Sequence, residues 1–481
     1  MTLNETAKTA LVRTLASLDT GKGISVQNVF LRTARTLGLE IKPRDVDPLR
    51  ECLPVIRDLV DEGILEYWHS ETMSRYTLRE GVTRSACCRT EPVGAVIRAR
   101  NCRGTGLRAL ELMSARPFYL SRDKAQAELD RVTADLEALP DAWKEGILRG
   151  DAYATEKASL EAKQKQCKAL LALPECAVYF DTAADYRGRL YFGGGLASPH
   201  NGRLAREVFT RPDEVTLDCR SSFAQMIAIL TGDAALGRAC GIGTTDDCDL
   251  YLQVAEQAGI ARDKAKAHRD ALKHAIMPRA YGAGEARSKE ALAGAFTETE
   301  QVAVLKRLDS FTRITKRAQA TAAEWADDGD QLEWTTPCGN CPKQEYYVMK
   351  SAQFCTGSNE NLYYPAAFAL TLRTQYVQKN RTETQSGAVL GATANIVQSL
   401  DASLCAEVIC RHFDKTGEIP FTIHDSFTVK KENADSLRQT VCEVMKDMYT
   451  APEMIELRKM LKIIPPKAGI DFSLMNPLSE E

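Results

Sequence analysis

The sequence predicts an α+β protein built from about three domains. Its 481 residues exceed the length of one ordinary domain, and strand-like apolar runs alternate with charged, helix-favouring segments. Hydrophobic residues make up 44% and charged residues 26% of the chain, values typical of globular proteins, so we exclude a disordered or collagen-like chain. No apolar run approaches the roughly 18 residues that a membrane span requires, so we expect no membrane association.

The N-terminus and the cysteines indicate the compartment. Residues 1–20 contain Glu5 and Asp19 and no apolar segment of the kind that a secretory signal requires. Fifteen cysteines in a chain without a leader favour a reducing compartment, so we expect a cytoplasmic protein. The net charge of −3 says little about partners, because nucleic-acid binding depends on local patches of charge.

Residues 1–83 are expected to form a small unit of their own. Apolar residues at helical spacing predict three helices, over residues 7–18, 26–37 and 46–60. Two strand-like runs around a polar turn follow, at residues 64–69 and 74–79. Helices followed by a hairpin are typical of a winged helix-turn-helix domain, which binds DNA. A helical cap on a larger enzyme is the alternative.

The next two segments are a basic connector and a pair of long helices. The connector, residues 84–122, contains eight arginines but only two acidic residues, both glutamates. Arginine clusters of this kind suit phosphate contacts, and a solvated linker is the alternative. Residues 123–175 are rich in helix-favouring residues and predict two long exposed helices, over 123–139 and 153–173, with Pro140 between them. The connector's arginines are Arg84, Arg89, Arg98, Arg100, Arg103, Arg108, Arg116 and Arg122.

Common signatures of nucleotide and metal sites are missing from the sequence. No GxxxxGK[ST] or GxSxG motif is present, and the glycines at 193–195 lack the spacing of a dinucleotide-binding loop. Cys338 and Cys341 form a lone CxxC motif without a second pair at zinc-ribbon spacing. We therefore expect neither a dinucleotide site nor a cysteine-bound metal.

Two segments place charged residues beside strand-like runs. In the first, Gly188 lets Arg187 and Arg189 project from a tight turn that begins at Asp185, although such a turn alone could be structural. In the second, a strand-like run ends at Asp218. A carboxylate at the end of a buried strand costs desolvation free energy unless it meets a cation, and Mg²⁺ is the natural partner of such an oxygen ligand. The alternative for Asp218 is a helix N-cap.

Two further segments supply cations and a second carboxylate. Lys273 follows Arg269 by four positions and Tyr281 follows it by twelve, so the three lie near one face of a predicted helix. Two cations with an aromatic behind them suit a triphosphate and its sugar or base, although a solvated basic face is the commoner outcome. His424 and Asp425 lie between two runs of alternating apolar residues, which places Asp425 at the tip of a hairpin. A core hairpin with a polar turn is the alternative.

The four segments together favour one chemistry. Two carboxylates on separate strands can hold two Mg²⁺ ions for in-line nucleotidyl transfer while a basic helix holds the triphosphate. In their order and spacing the segments resemble the DxxGR motif and motifs A, B and C of the single-subunit DNA-dependent RNA polymerases of phage and mitochondrial type. Residues 334–346 and 395–403 resemble two further blocks of that family, and the resemblance runs from about residue 116 to the end of the chain.

The resemblance implies a right-hand polymerase with palm, fingers and thumb. Residues 123–175 would form the thumb, 176–235 and 392–481 the palm, and 236–391 the fingers with a promoter-reading hairpin at 370–391. It also implies a monomer that binds a DNA template and promoter, ribonucleoside triphosphates and the RNA product, in the bacterial host cytoplasm if the chain is phage-encoded. The short N-terminal region leaves room for an accessory DNA-melting protein.

The resemblance also assigns roles to individual residues. Asp218 and Asp425 would bind the two Mg²⁺ ions and, with Lys273 and Tyr281, form the catalytic set. Arg269 would hold the phosphates, Lys273 would contact the triphosphate and protonate the leaving pyrophosphate, and Tyr281 would sense the ribose. The substrate site would comprise Arg269, Lys273, Tyr281, His424 and Gln398, and the template or hybrid site would comprise Asp185, Arg187, Gly188 and Arg189.

The chain departs from the family pattern at several positions. Residues 1–115 do not resemble its usual N-terminal domain, and only 33 positions separate Asp185 from Asp218, so an insertion common in relatives is missing. Gln398 stands where many relatives have His. Phe223 is bulky where RNA polymerases have a small residue, as in DNA-making relatives that exclude the 2′-hydroxyl. A primase or DNA-extending polymerase is therefore one alternative, and a non-catalytic nucleic-acid-binding protein is another.

Overall fold

The computed structural model combines helix and sheet, which is consistent with the predicted α+β class. Among the described residues, no helix combines the length and the apolar character of a transmembrane span. The structure describes residues 7–8, 11–12, 15, 24–37, 39, 52, 54–56, 58–59, 62, 65–70, 73–78, 88–93, 95, 97–99, 101–144, 150–327, 332–344, 347–355, 367–375 and 384–480.

The described N-terminal residues contain a helix and a three-stranded antiparallel sheet. Strand β1 (Ile24–Ser25) leads into helix α1 (Val26–Thr36), and the strands β2 (Leu65–Ser70) and β3 (Met73–Leu78) form a hairpin whose second strand also pairs with β1. Each hairpin strand lies within one residue of its predicted position. The first and third predicted helices fall partly outside the described residues, and DNA binding by a winged helix stays a prediction.

The basic connector contains strand β4 (Ile97–Ala99) and helix α2 (Gly104–Ala115). Two of its arginines are buried. Arg89 donates to four backbone carbonyls, the nearest at 2.7 Å, and Arg116 forms a buried ion pair of 2.9 Å with Glu214. These two arginines are therefore not available to phosphates, because a buried guanidinium needs acceptors within the protein, and phosphate contacts by the rest of the cluster stay a prediction.

Two long helices follow, as predicted, and they pack against each other. Helix α3 spans Arg122–Lys144 and helix α4 spans Asp151–Leu171, with Leu139 and Leu160 in the small apolar cluster between them. Pro140 lies inside α3, which corrects the predicted boundary. A proline removes one backbone hydrogen bond, and the helix still continues for four residues to Lys144.

A second three-stranded sheet carries the DxxGR turn. Strand β5 (Thr182–Ala184) pairs in parallel with β4 and antiparallel with β6 (Leu190–Phe192). The turn at residues 185–189 therefore connects β5 and β6 directly. Helix α5 (Gly202–Phe209) follows after a short loop.

Strand β7 (Glu214–Cys219) leads into a helical region that covers the end of the predicted palm segment 176–235 and much of the predicted fingers segment 236–391. Apart from the two strands described next, this region is built from helices. These are α6 (Ser222–Thr231), α7 (Ala234–Ala239), α8 (Leu250–Gln257), α9 (Arg262–Ala267), α10 (Arg269–Ala280), α11 (Glu285–Leu292), α12 (Glu298–Lys306) and α13 (Asp309–Asp327).

The predicted promoter-reading hairpin is displaced in the structure. Strands β8 (Tyr347–Cys355) and β9 (Ala367–Gln375) pair antiparallel, so the described hairpin begins well before the expected 370–391. Residues 384–391 instead begin the long helix α14 (Thr384–Thr416). The bounds 370–391 came from the resemblance to the family and not from a local pattern of residues, so they did not show where strand ends and helix begins.

The remaining elements complete a four-stranded sheet at the centre of the molecule. In it, β7 lies between β11 and β12, and the strand order is β10-β11-β7-β12, antiparallel throughout. Strands far apart in the sequence therefore meet in one layer, and α14 and α15 pack beside it. The elements are β10 (Phe421–Ile423), β11 (Ser426–Lys430), α15 (Ala434–Thr450), α16 (Pro452–Met460) and β12 (Leu478–Glu480).

An aromatic cluster joins this central sheet to the β5–β6 sheet. Phe118 is 1% exposed, and its ring makes edge-to-face contacts with four other phenylalanines at centroid distances of 5.1–5.5 Å. Such geometry is the favoured one for aromatic pairs. The four partners are Phe180, Phe192, Phe209 and Phe421, which belong to separate elements or connections.

We predict that Phe118→Ala lowers the free energy of unfolding by about 3–5 kcal/mol. The substitution leaves a cavity of about the size of the ring, and the surrounding side chains, which belong to separate elements, cannot move in to fill it. The neighbouring Tyr119, which is 48% exposed, provides the control. Tyr119→Ala should change stability by less than about 1 kcal/mol. Urea denaturation followed by fluorescence measures both, and equal effects of the two substitutions would contradict a central role for the Phe118 ring.

Candidate active site

The two candidate metal-binding acids lie side by side in the central sheet. Asp218, near the end of β7, is paired in register with Ser426, the first residue of β11 and the residue after Asp425. The backbone N–H of Cys219 donates to the carbonyl oxygen of Asp425 at 3.0 Å. Both acids line one cavity of about 560 Å³. The hairpin tip predicted for Asp425 is therefore confirmed, and it faces Asp218.

Alternation along β7 explains why Asp218 faces the cavity. Leu217 and Cys219 are buried, whereas Thr216 and Asp218 are only partly buried and point to the other face of the sheet. The Thr216 hydroxyl is 2.8 Å from that of Thr428 on β11, a cross-strand hydrogen bond that fixes the register. A slip of one residue would turn Asp218 into the core.

Helix α10 forms the opposite wall of the cavity. Arg269, Lys273, Met277 and Tyr281 line it at intervals of four residues, so the predicted common face of this helix is confirmed. Lys273 is exposed and forms no ion pair with any residue that the structure describes. Its ammonium group is therefore available to a ligand.

Asp249 and Tyr251 of the neighbouring helix region hold the Arg269 side chain in place. Its guanidinium donates to the Asp249 carboxylate at 2.6 Å and lies 5.0 Å from the centre of the Tyr251 ring. Its side chain remains 45% exposed, so the outward edge of the guanidinium can meet another anion. Asp249 also caps α8 by accepting from the backbone N–H groups of Tyr251 and Leu252. Neither of these supporting residues was singled out from the sequence, because only the folded chain brings α8 beside α10.

The electrostatic environment of Asp425 favours a cation in the cavity. Burial raises the pKa of Asp425 to about 7, and the neighbouring carboxylates of Asp401 and Asp218 add to the effect while Arg189 opposes it. A pKa this high means that the ionised form is poorly compensated by the protein alone. A divalent cation beside the carboxylate would compensate the charge.

The residues present suit Mg²⁺ that is shared with a substrate. Within the described part of the chain, no group of three or more His, Cys, Asp or Glu side chains could hold a metal on its own. Mg²⁺ in nucleotide-binding sites is commonly bound by one or two carboxylates together with substrate phosphates and water. Asp218 and Asp425, with the open cavity before them, meet that requirement.

The DxxGR turn is organised around the Asp185 carboxylate. It accepts from the backbone N–H of Arg187 at 2.9 Å and of Arg189 at 3.1 Å, and from the Arg187 guanidinium at 2.9 Å. Gly188 has φ +87°, a conformation that other residues rarely adopt. A Cβ atom at Gly188 would also lie 2.6 Å from Nδ2 of Asn340. The positive φ therefore favours glycine at this position, and a larger residue would also have to displace the amide group of Asn340.

This turn is docked on helix α14 by its own arginines. Arg187 donates to the side-chain oxygen of Gln398, and Arg189 donates to Asp401 at 3.0 Å. Of these four residues only Arg189 lines the cavity. The predicted roles of Arg187 with template and of Gln398 with substrate stay predictions, because in this structure the two side chains bind each other.

Asp401 is the residue that sequence reasoning passed over. It is buried, and it accepts from both Arg189 and the hydroxyl of Ser222 at the start of α6. It thus ties the DxxGR turn and the motif A helix to α14. Its only signal in the sequence was its place within the block at residues 395–403. Arg206 and Arg220 also line the cavity and were likewise not singled out.

Phe223 lies in the cavity wall and packs on Tyr281. The two ring centroids are 5.9 Å apart, and the Phe223 ring is 6.1 Å from that of Phe311 in α13. The Phe223 side chain is 5% exposed. The ring is therefore part of an aromatic cluster as well as part of the cavity lining, and burial raises the pKa of Tyr281 within it.

We predict that Gly188→Ala lowers the free energy of unfolding by about 2–5 kcal/mol. This is the free-energy cost of a non-glycine residue in the left-handed conformation plus the cost of displacing the Asn340 side chain. Gly202 is a matched control, because it has a similar φ of +82° but open space around its Cβ position. Gly202→Ala should cost only about 1–2 kcal/mol. Urea titration compares the two, and equal losses would contradict the importance of the Asn340 contact.

Comparison with known proteins supports the resemblance drawn from the motifs. No curated protein matches the chain significantly. Residues 286–467, less than half of the chain, match the family model described as DNA-dependent RNA polymerase. The matched region contains the hairpin with His424 and Asp425 and both additional blocks, and it begins just after helix α10. The model of the single-subunit, phage- and mitochondrial-type DNA-dependent RNA polymerase family is thus matched at residues 286–467, in agreement with the resemblance drawn from the motifs.

Proposed function

We propose that the chain synthesises RNA on a DNA template by joining ribonucleoside triphosphates in the cavity between the central sheet and helix α10. The observation that carries the proposal is the placement of Asp218 and Asp425 in one cavity with Arg269 and Lys273. The family match supports DNA-dependent RNA synthesis in general terms. The assignment of the reaction to these residues is our own.

In this reaction the 3′-hydroxyl group of the growing strand gives its proton to water and its oxygen bonds to the α-phosphorus of the incoming nucleotide. The bond from that phosphorus to the bridging oxygen of pyrophosphate breaks. Two Mg²⁺ ions held by Asp218 and Asp425 would supply charge neutralisation at the attacking and leaving oxygens. Arg269 and Lys273 bind the triphosphate from the opposite wall. Lys273, which has no carboxylate partner among the described residues, can donate a proton to the leaving pyrophosphate.

The other cavity residues orient the nucleotide. Tyr281 lines the cavity at the end of the α10 face, where the sugar or base would lie. Arg189 contributes a positive charge from the DxxGR turn, which suits a template or hybrid phosphate, and Asp401 fixes its direction. Because Asp401 is buried and bonded on both sides, Arg189 has little freedom to move away.

A second candidate, a polymerase that extends DNA, is favoured by one observation. Phe223 is bulky and lines the cavity, so its ring could exclude a 2′-hydroxyl from the sugar position. Against this, the ring packs on Tyr281 and Phe311, and such contacts give it a purely structural reason to be large. We therefore retain ribonucleotides as the proposed substrates.

We predict that Asp425→Asn lowers kcat for nucleotide incorporation by about a thousandfold or more, because one of the two acids that hold Mg²⁺ is lost. Folding should survive, since removal of a poorly compensated buried charge costs little stability. A primed DNA template with Mg²⁺ and ribonucleotides measures incorporation, and fluorescence anisotropy measures template binding, which should be unchanged.

The matched control for this substitution is Glu432→Gln. Asp425 directly precedes β11, and Glu432 is an exposed acid just after the end of that strand. Glu432→Gln should leave incorporation unchanged. Comparable loss of template binding in Asp425→Asn would mean that the acid is structural. Absence of templated synthesis by the unsubstituted protein with either sugar type would refute the proposed function itself.

We predict that Phe223→Ala does not increase kcat/KM for ribonucleotides by more than about threefold relative to deoxyribonucleotides, because the ring is held in the Tyr281 cluster. Phe311→Leu is the control, since it perturbs the same cluster without belonging to the cavity lining. Single-nucleotide incorporation with each sugar type gives the ratio. A large gain in ribonucleotide use by Phe223→Ala alone would favour the DNA-extending candidate.

A further inference from the structure

Behind the motif C turn lies a cluster of three rings that the proposed chemistry does not use. Tyr191, His200 and His424 contact one another with centroid distances of 5.2, 5.5 and 5.6 Å. His424 lines the cavity, whereas Tyr191 and His200 stand behind it. Tyr191 belongs to β6, and His200 belongs to the loop that leads from β6 to α5.

Hydrogen bonds fix the position of His200. The backbone N–H of Phe192 donates to Nδ1 of His200 at 3.1 Å, and the backbone N–H of His200 donates to the Ser198 hydroxyl at 3.2 Å. The Ser198 hydroxyl in turn donates to the Phe192 carbonyl at 3.0 Å. The loop is therefore closed onto β6, and the His200 ring cannot turn over without breaking a backbone hydrogen bond.

The same contacts determine which nitrogen of His200 carries the proton. Nδ1 accepts a hydrogen bond, so it holds no proton, and the neutral ring must then carry its proton on Nε2. Burial, with a contribution from His424, lowers the pKa of His200 to about 3, so the ring is neutral near pH 7. Nε2 is excluded from solvent and has no hydrogen-bond partner among the described residues. A buried donor without an acceptor is rare in folded proteins.

His424 is the natural acceptor for this donor. Of the described rings that contact His200, which are Tyr191, Phe192 and His424, only that of His424 has nitrogen atoms. His424 is also held in a left-handed backbone conformation with φ +58° at the tip of the hairpin, next to Asp425. Because the two ring centroids are 5.6 Å apart, a nitrogen on the facing edge of the His424 ring would lie within hydrogen-bond reach of the His200 ring.

We propose that His200 is a positioning residue for the proposed reaction, in which its Nε2–H donates to a ring nitrogen of His424 when a nucleotide occupies the cavity. We call these two hydrogen bonds the relay. In the relay, the Phe192 backbone N–H donates to His200, and His200 donates to His424. A neutral His424 that accepts on one nitrogen carries its proton on the other. It therefore presents an N–H donor to the cavity, where it binds an oxygen atom of the nucleotide or of the strand end.

This inference rests on the proposed function, and the experiment separates the two. His200→Phe keeps a ring of similar shape but removes both nitrogens, and His200→Gln keeps an acceptor and an N–H donor on one side chain. Single-nucleotide incorporation with Mg²⁺ gives kcat and KM, and thermal melting reports folding. We expect His200→Phe to lower kcat/KM by about ten- to a hundredfold, which is the usual effect of losing a residue that orients a group in direct contact with the substrate. We expect His200→Gln to recover most of this loss.

A double substitution tests whether His200 acts through His424. In a His424→Ala background, His200→Phe should change kcat/KM by less than about twofold, because the acceptor is already gone. Equal losses in both backgrounds, or no recovery with His200→Gln, would overturn the proposal while leaving RNA synthesis by the unsubstituted protein in place. No synthesis by the unsubstituted protein would instead refute the proposed function.

A measurement on the unsubstituted protein keeps the proposal testable if a variant melts early. The ring ¹⁵N signals of its six histidines can be recorded with labelled histidine, and His200→Gln assigns the signal of His200. We expect His200 to show the neutral ring with the proton on Nε2 from pH 6 to 8. A proton on Nδ1, or a charged ring in that range, would rule the relay out.

Discussion

Two like charges held at the ends of neighbouring strands are the constraint on which the rest of the site depends. The antiparallel pairing of β7 with β11 fixes Asp218 opposite the residue that follows Asp425, so the two carboxylates cannot separate without breaking the sheet. Burial raises the pKa of Asp425 to about 7, and the nearby carboxylates of Asp401 and Asp218 add to the effect. The ionised form of Asp425 is therefore unfavourable in the protein alone, an added cation would stabilise it, and helix α10 places further positive charge across the cavity.

A buried acid on a third element makes this arrangement rigid. Asp401 on α14 binds Arg189 of the DxxGR turn and Ser222 of the motif A helix, so elements from three parts of the chain meet at one carboxylate. Breaking such a pair leaves a buried charge without compensation, which costs far more than the pair itself contributes. The DxxGR turn, the start of α6 and α14 are therefore held together by contacts within the protein.

The local elements could be predicted from the sequence, and the partners of individual side chains could not. Period-two alternation around His424 and Asp425 placed a hairpin there, and intervals of four residues placed Lys273 and Tyr281 on one face, because these patterns follow from backbone geometry alone. The docking of Arg187 on Gln398 depends on how α14 packs, which no local pattern encodes. The same reason explains why Pro140 did not end its helix: packing against α4 outweighs one lost hydrogen bond.

Backbone strain in the described chain is concentrated where the side chains are needed. Four described residues other than glycine have positive φ, and two of them, Ser221 and His424, line the cavity. Each costs on the order of 1–2 kcal/mol that glycine would avoid. Glycine would also remove the side chain, and His424 is the ring that meets both the cavity and His200. The strain at the turn beside Asp425 keeps a ring next to the acid, and that ring is the one that the inferred hydrogen bond from His200 requires.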